Sequence, residues 1–301
     1  MTQFRTLYKQ FFTSSPFLFL LGISIFLAAC KKDGGEEIRD PNTQMVDDEA
    51  SLVTYLQTHF YNYEDFQSQP DNYDLEIIID TIAGENAGKT PLFNQVQTRA
   101  VDVTYEGELV PHTMYYLTVR EGVKERPSKV DSVYVTYKGN LTDGTVFDNS
   151  TLPIWFNLTE VVPGFREGVS TIGAGEYTVN ADGTYNFFNY GQTIFFMPSG
   201  LGYYSRSQGA VPAYAPLIFR VSLYTSHPSD HDGDGIPSGQ EDIDGDGNPF
   251  NDDTDGNGVA NMRDPDDDGD GILTRNELDT DGDGVYDDSD NDGIPDYLDA
   301  D

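Results

Sequence analysis

The sequence predicts a sheet-rich α+β unit over residues 47–225, placed between a targeting segment and an acidic tail. Apolar residues recur once at helical spacing and then several times at alternate positions, with turn pairs between the alternating runs. Charge is segregated as well. The 301 residues carry 52 Asp plus Glu against 17 Lys plus Arg, and residues 230–301 alone hold 26 of those acids beside only Arg263 and Arg275. The tail therefore accounts for −24 of the net −35, and the remainder is a mildly acidic surface suited to one or two domains. This balance excludes a nucleic-acid partner held by a basic surface. A single Cys excludes an intrachain disulfide framework or a cysteine zinc site, and four His leave little for a histidine metal centre.

At the N-terminus, Arg5 and Lys9 precede an apolar stretch from Phe17 to Ala29, too short and too early for a spanning helix. It ends Leu27-Ala28-Ala29-Cys30, which resembles a bacterial lipobox. Residues 1–29 are expected to be a lipoprotein signal peptide, Cys30 the lipidated residue and 30–46 a polar linker. The segment 31–37, KKDGGEE, is similar to charged export signals of some surface lipoproteins. The expected location is the outer membrane, facing the periplasm or the cell exterior, with the membrane reached through Cys30.

Residues 47–66 place Leu52, Val53, Leu56 and Phe60 on one helical face, with acids leading the first turn. Strands are expected around Leu75, Ile77 and Ile79, around Val101, Val103 and Tyr105, and over 113–120 and 130–138. The pairs Asp143-Gly144 and Asp182-Gly183 suit hairpin turns. The frame V-x-V-T-Y-x-G-x-L occurs at 101–109 and again at 133–141, and is read as two edge strands of like composition.

Five segments in order carry a resemblance: VTYKG at 135–139, LTDGTVFDNS at 141–150, EVVPGFREGVSTIGAGE at 160–176, FMPSGLGY at 196–203 and AVPAYAPLIFRVSL at 210–223. Together they resemble the FKBP-type peptidyl-prolyl cis-trans isomerases. The resemblance implies an FKBP-like domain over 112–226, a curved antiparallel sheet wrapped on a short helix near Pro163 to Gly168, with 47–111 as a helix and strand accessory region. It implies an apolar pocket for proline formed by Tyr137, Phe147, Asp148, Ile154, Val161, Val162, Phe165, Tyr203, Val211 and Phe219. Phe147, Phe165 and Phe219 would grip the ring, the Tyr203 hydroxyl and Val162 N–H would hold flanking carbonyls, and Asp148 would face the turning carbonyl or order Tyr137. Phe165 stands where the family more often has Trp, and Ile154 where many members have an aromatic wall. An insert after Glu176 is longer than the family's hairpin and is expected to shade the site or form a partner surface, and Tyr204 is an extra rim aromatic. No cofactor is implied for catalysis.

The tail repeats Asp-x-Asp-x-Asp/Asn-Gly six times. The first two loops supply Asp230, Asp232 and Asp234, then Asp242, Asp244 and Asp246. The next two supply Asp253, Asp255 and Asn257, then Asp266, Asp268 and Asp270. The last two supply Asp279, Asp281 and Asp283, then Asp288, Asp290 and Asp292. Glu241 and Glu277 stand at position 12 of the first and fourth loops, where a carboxylate binds a cation bidentately. Hard oxygen ligands at this spacing select Ca2+ as a structural ion. Pro237, Pro249, Pro265 and Pro295 exclude paired EF-hand helices, and the whole segment 230–301 is similar to thrombospondin type-3 repeats. Ile236, Val259, Ile272, Val285 and Ile294 are expected to pack between ions.

The function expected is rotation of X-Pro bonds in exported, proline-containing polypeptides. The alternatives are a non-catalytic proline-peptide binding module and a calcium-dependent adhesion or structural lipoprotein.

Overall fold

Helix α1, Pro41–Thr58, opens the described part of the chain: the computed structural model describes residues 38–300. The signal peptide, Cys30 and the linker before Ile38 lie outside the described residues. Asp40 caps α1 by accepting from the Thr43 N–H at 2.8 Å, and Pro41 takes the first helical position, where a missing N–H costs nothing. The helix therefore begins inside the expected linker. It also stops earlier than expected. His59–Tyr61 leaves the helical path as strand β1 and pairs with β2, Ile79–Thr81, and a separate short helix α2, Tyr63–Ser68, follows. The aromatic run His59-Phe60-Tyr61 suits a strand better than a helix, and a pairing partner decides the matter.

The main sheet has six antiparallel strands: β3 (Gln97–Tyr105), β4 (Glu108–Arg120), β5 (Ser132–Leu141), β6 (Val146–Asn157), β9 (Gly191–Met197) and β10 (Leu217–His227). Their order is β3-β4-β9-β10-β5-β6, so the last two strands in sequence sit between the two earlier pairs. β4 runs across the expected boundary at 111/112, and residues 38–300 pack as one unit.

The two faces of the sheet carry two cores, as alternation of side chains requires. On one face Met114, Val133, Val135, Phe195, Met197, Leu217 and Phe219 pack against Phe165 and Val169 of helix α3, Pro163–Val169. On the other, Tyr115, Leu117, Ile194, Phe196 and Ile218 pack against Leu52, Tyr55 and Leu56 of α1. β9 contributes to both and is buried along its whole length.

α1 is tied to the turn that follows β9 by Asp48, which is only 2% exposed. Its Oδ2 accepts from the Ser199 N–H at 2.7 Å and the Ser199 hydroxyl at 2.6 Å, and its Oδ1 accepts from Gln44 Nε2 at 2.7 Å. Asp48→Ala strands a buried N–H and is expected to cost about 2–3 kcal/mol, read as a lower urea midpoint with an unchanged slope.

The insert forms the hairpin β7 (Glu176–Val179) and β8 (Tyr185–Phe188), with the expected turn at Asp182-Gly183. Phe187 lies on Tyr134 and Tyr224 at ring separations of 5.8 and 5.2 Å. Tyr134 stands on the face opposite Val133 and Val135, so the hairpin packs away from the pocket and does not shade it. Among the described residues no helix is long and apolar enough to cross a membrane.

Candidate active site and metal sites

The aromatic cluster expected to line a proline pocket is built on β5, β6, β10 and α3. Tyr137 on β5 points to the same face as Val133 and Val135, Phe219 follows on the adjacent strand β10, and α3 sets Phe165 beneath them. Phe165 is 4% exposed and meets Tyr137, Phe156, Phe195 and Phe219 edge to face, at centroid separations of 5.2 to 6.1 Å. Phe147 completes the wall by an edge contact with Phe219 at 5.4 Å. Its ring needs Gly139: a Cβ there would lie 2.5 Å from the Phe147 ring. Val161, Val162, Tyr203 and Val211 pack against the same cluster.

Asp148 follows Phe147 on β6, and its Oδ2 accepts from the Tyr137 hydroxyl at 2.6 Å. Burial, and then the Asp148 carboxylate, raise Tyr137 well above the usual phenol range, so it stays protonated and keeps donating. Burial and then Asp148 push Tyr203 upward too. This bond corresponds to one of the two roles expected for Asp148, ordering Tyr137.

Ile154, which stands where many members have an aromatic wall, does not itself join the aromatic cluster. Ile154 is half-buried opposite Val135. Two residues on, Phe156 stands at 5.5 Å from Tyr137 and 5.6 Å from Phe165 and supplies the wall. The period-2 alternation of β6 was the signal for it. Phe156→Ala is expected to raise KM for a prolyl peptide roughly tenfold, the loss of an aromatic contact of about 1.4 kcal/mol, whereas Ile154→Ala should leave KM within about twofold. The extra rim residue Tyr204 turns away: its hydroxyl donates to the Arg39 carbonyl and its ring packs on Tyr105 and Tyr214.

In the tail, the loops repeat a set of bonds. The position-5 N–H donates to the position-3 carboxylate, as in Asp234 to Asp232 (3.2 Å), Asp246 to Asp244 (2.9 Å), Asn257 to Asp255 (2.9 Å) and Asp270 to Asp268 (3.1 Å). The last two loops repeat it, Asp283 to Asp281 at 3.1 Å and Asp292 to Asp290 at 3.0 Å. The glycine at position 6 donates to the first Asp, as Gly247 does to Asp242 at 2.8 Å, Gly258 to Asp253 at 2.9 Å and Gly293 to Asp288 at 3.0 Å. A further lock was not read from the sequence: the position-2 N–H donates to a side chain seven residues on. It joins His231 to Ser238, Thr254 to Asn261, Asp267 to Thr274, Thr280 to Asp287 and Ser289 to Asp296. Ser, Asn, Thr or Asp at position 9 was its signal.

Donor oxygens of Asp230, Asp232 and Asp234 converge within 4.8 Å of one another, as do those of Asp242, Asp244 and Asp246, and of Asp266, Asp268 and Asp270. In the fifth loop Asp279 and Asp281 converge with Asp287, while Asp283 accepts from the Val285 N–H. Of the fifteen buried side-chain polar atoms without a hydrogen-bond partner among the described residues, twelve are carboxylate oxygens of this tail, one of them on Glu277. Buried carboxylates facing one another without a donor fit a divalent cation. Burial and neighbouring acids push Glu241 up to about 9 and Glu277 to about 7, the mark of charge that lacks a counterion. Of the apolar residues after the glycines, Ile236 is buried. Val259, Ile272, Val285 and Ile294 are exposed, because those turns face solvent.

Two family models match parts of the chain. Residues 123–224 match the family of FKBP-type peptidyl-prolyl cis-trans isomerases, and residues 231–286 match a family described as BamM C-terminal. The FKBP-type peptidyl-prolyl cis-trans isomerase FkpA of Aeromonas hydrophila is 31% identical over 158 residues, 52% of this chain and 51% of its own length. The outer membrane protein MIP of Legionella longbeachae is 31% identical over 119 residues, 38% of this chain and 45% of its own. The crystal structure of FkpA from Escherichia coli is 32% identical over 38% of this chain and 48% of that one, with a TM-score of 0.32. The chain spans about half the length of the curated relatives it matches.

Proposed function

We propose that the domain over residues 112–226 is a peptidyl-prolyl cis-trans isomerase acting on proline-containing polypeptides. The observation that carries the reading is the box of Tyr137, Phe147, Phe156, Phe165 and Phe219, with Asp148 bonded to the one phenol in it. Rotation about X-Pro is slow because amide resonance must be broken, a barrier of roughly 18–20 kcal/mol. A twisted amide has lost that resonance and is less polar, so a dry aromatic box favours it over the planar substrate. The rings of Phe147, Phe165 and Phe219 hold the pyrrolidine, and the Tyr203 hydroxyl and Val162 N–H hold the flanking carbonyls. The pocket supplies positioning and exclusion of water, and no proton needs to move.

The segment ending at Cys30 supports a lipid anchor in the bacterial envelope, and the name of the Legionella relative is in keeping with that location. The tail is read as a calcium-filled extension, its six loops holding hard cations by Asp230 to Asp292 and stiffening a segment otherwise repelled by its own charge. The test is isomerisation of an X-Pro peptide by residues 31–301, with and without calcium. Acceleration supports the reading. Binding of the peptide with no acceleration in either condition would make the domain a binding module.

A further inference from the structure

The first and fourth repeats meet at one point. Asp234 and Glu241 of the first and Asp267 of the fourth bring donor oxygens within 4.8 Å of one another. Asp267 stands at position 2 of its loop, a position that no repeat of this kind uses for its own ion. The three residues are 2%, 0% and 1% exposed, among the most buried acids of the chain. Asp234 Oδ2, both oxygens of Glu241 and both oxygens of Asp267 are buried and have no hydrogen-bond partner. None of the ion pairs among the described residues reaches them. Tyr297, near the end of the chain, lies beside all three and is itself buried, and Leu278 approaches Gly235 from the fourth repeat.

We propose that Asp234, Glu241 and Asp267 hold one calcium ion shared by the first and fourth repeats, a clamp that closes the tail on itself. Three fully buried carboxylates with five bare oxygens, and no cation from the protein, leave a cation as the ligand that satisfies them. Their separation is one that two Ca–O bonds of about 2.4 Å span. Asp234 also belongs to the convergent set Asp230, Asp232 and Asp234, so its carboxylate serves the first loop and the clamp together. The first repeat is in turn fixed to the isomerase-like body: Ser229 bonds Ser132 at the start of β5, and His231 bonds Asn157 at the end of β6. Phe250 of the second repeat lies under the Arg166 guanidinium of α3, 4.7 Å from its centre. Closure of the clamp therefore holds the tail against the body that carries the pocket.

The inference rests on the reading of the tail as calcium-binding, and one experiment separates the two. The chain is stripped with chelator and titrated with Ca2+ by calorimetry, as wild type and as Asp267→Asn, Glu241→Gln and Asp283→Asn. Hydrogen exchange is followed in the first, fourth and fifth repeats. Asp267→Asn and Glu241→Gln are each expected to weaken the tightest calcium class roughly tenfold or more. They should also open the first and fourth repeats to exchange together, while the fifth repeat stays protected. Asp283→Asn should leave the first repeat closed. Calcium binding by wild type with Asp267→Asn indistinguishable from it would overturn the clamp and leave the ladder standing, and absence of binding by wild type would overturn both. Persistent protection of the fifth repeat shows that the variant tail is still folded.

Discussion

Asp148→Ala is expected to lower kcat/KM on an X-Pro peptide about 10- to 100-fold, with a smaller fall in the thermal midpoint. The side chain is exposed, so its removal opens no cavity. What is lost is the bond to the Tyr137 hydroxyl, and a hydrogen bond to a charged group is worth about 1.5–3 kcal/mol. Each 1.4 kcal/mol of that, if expressed only in the transition state, is a factor of about ten in rate. The loss should fall on kcat more than on KM, because the ring contacts that bind proline remain. Tyr137→Phe keeps those contacts and should be milder. Because the two residues act as a pair, the double variant should be little worse than Asp148→Ala alone. Full activity of Asp148→Ala would remove this pair from the mechanism.

Chelation of calcium is expected to open residues 230–300 while leaving the body folded. The tail carries −24, and twelve of its carboxylate oxygens are buried without a partner. Each uncompensated buried ion costs several kcal/mol, far more than Ile236, Met262 and Tyr297, the buried apolar residues of the tail, return on burial. The body has two cores of its own, on α1 and α3, and depends on none of this. Small-angle scattering should show an increased radius of gyration in chelator, and hydrogen exchange should rise from Asp230 onward but not in β9 or β10. Identical scattering in chelator and in millimolar calcium would refute a metal-dependent tail.

How much of this was legible depends on the range of the signal. Alternation placed β3 and β5 correctly, and Asp143-Gly144 and Asp182-Gly183 are turns as their chemistry requires. Local pattern could not see partners. His59–Tyr61 continues a helical face on paper and leaves it because β2 offers hydrogen bonds. The frame V-x-V-T-Y-x-G-x-L gives two different structures: at 101–109 it follows the edge strand β3 and bends at Glu106-Gly107 into β4, and at 133–141 it lies in β5, which is paired on both sides and is not the edge strand expected, with Gly139 yielding room to Phe147. The site shows the same limit. Tyr137, Phe147, Asp148, Phe165, Tyr203 and Phe219 stand in order along the sequence, whereas only packing tells which of two inward residues, Ile154 or Phe156, meets the floor. Asp267 was invisible because its partners lie 26 and 33 residues away in another repeat.

The order of the main sheet has a consequence for how the chain is made. β3 with β4, and β5 with β6, are hairpins that close locally, but they do not touch each other as neighbours; β9 and β10 zip between them. Until residues 191–227 are available, the inner edges of both hairpins stay unpaired, and those edges invite pairing with other chains. Long-range pairing of this kind is slow. Synthesis from the N-terminus would therefore deliver an adhesive intermediate whose lifetime is set by the arrival of the last two strands, and the acidic repeats that emerge next bring a repulsive, solubilising charge to the same molecule at that moment.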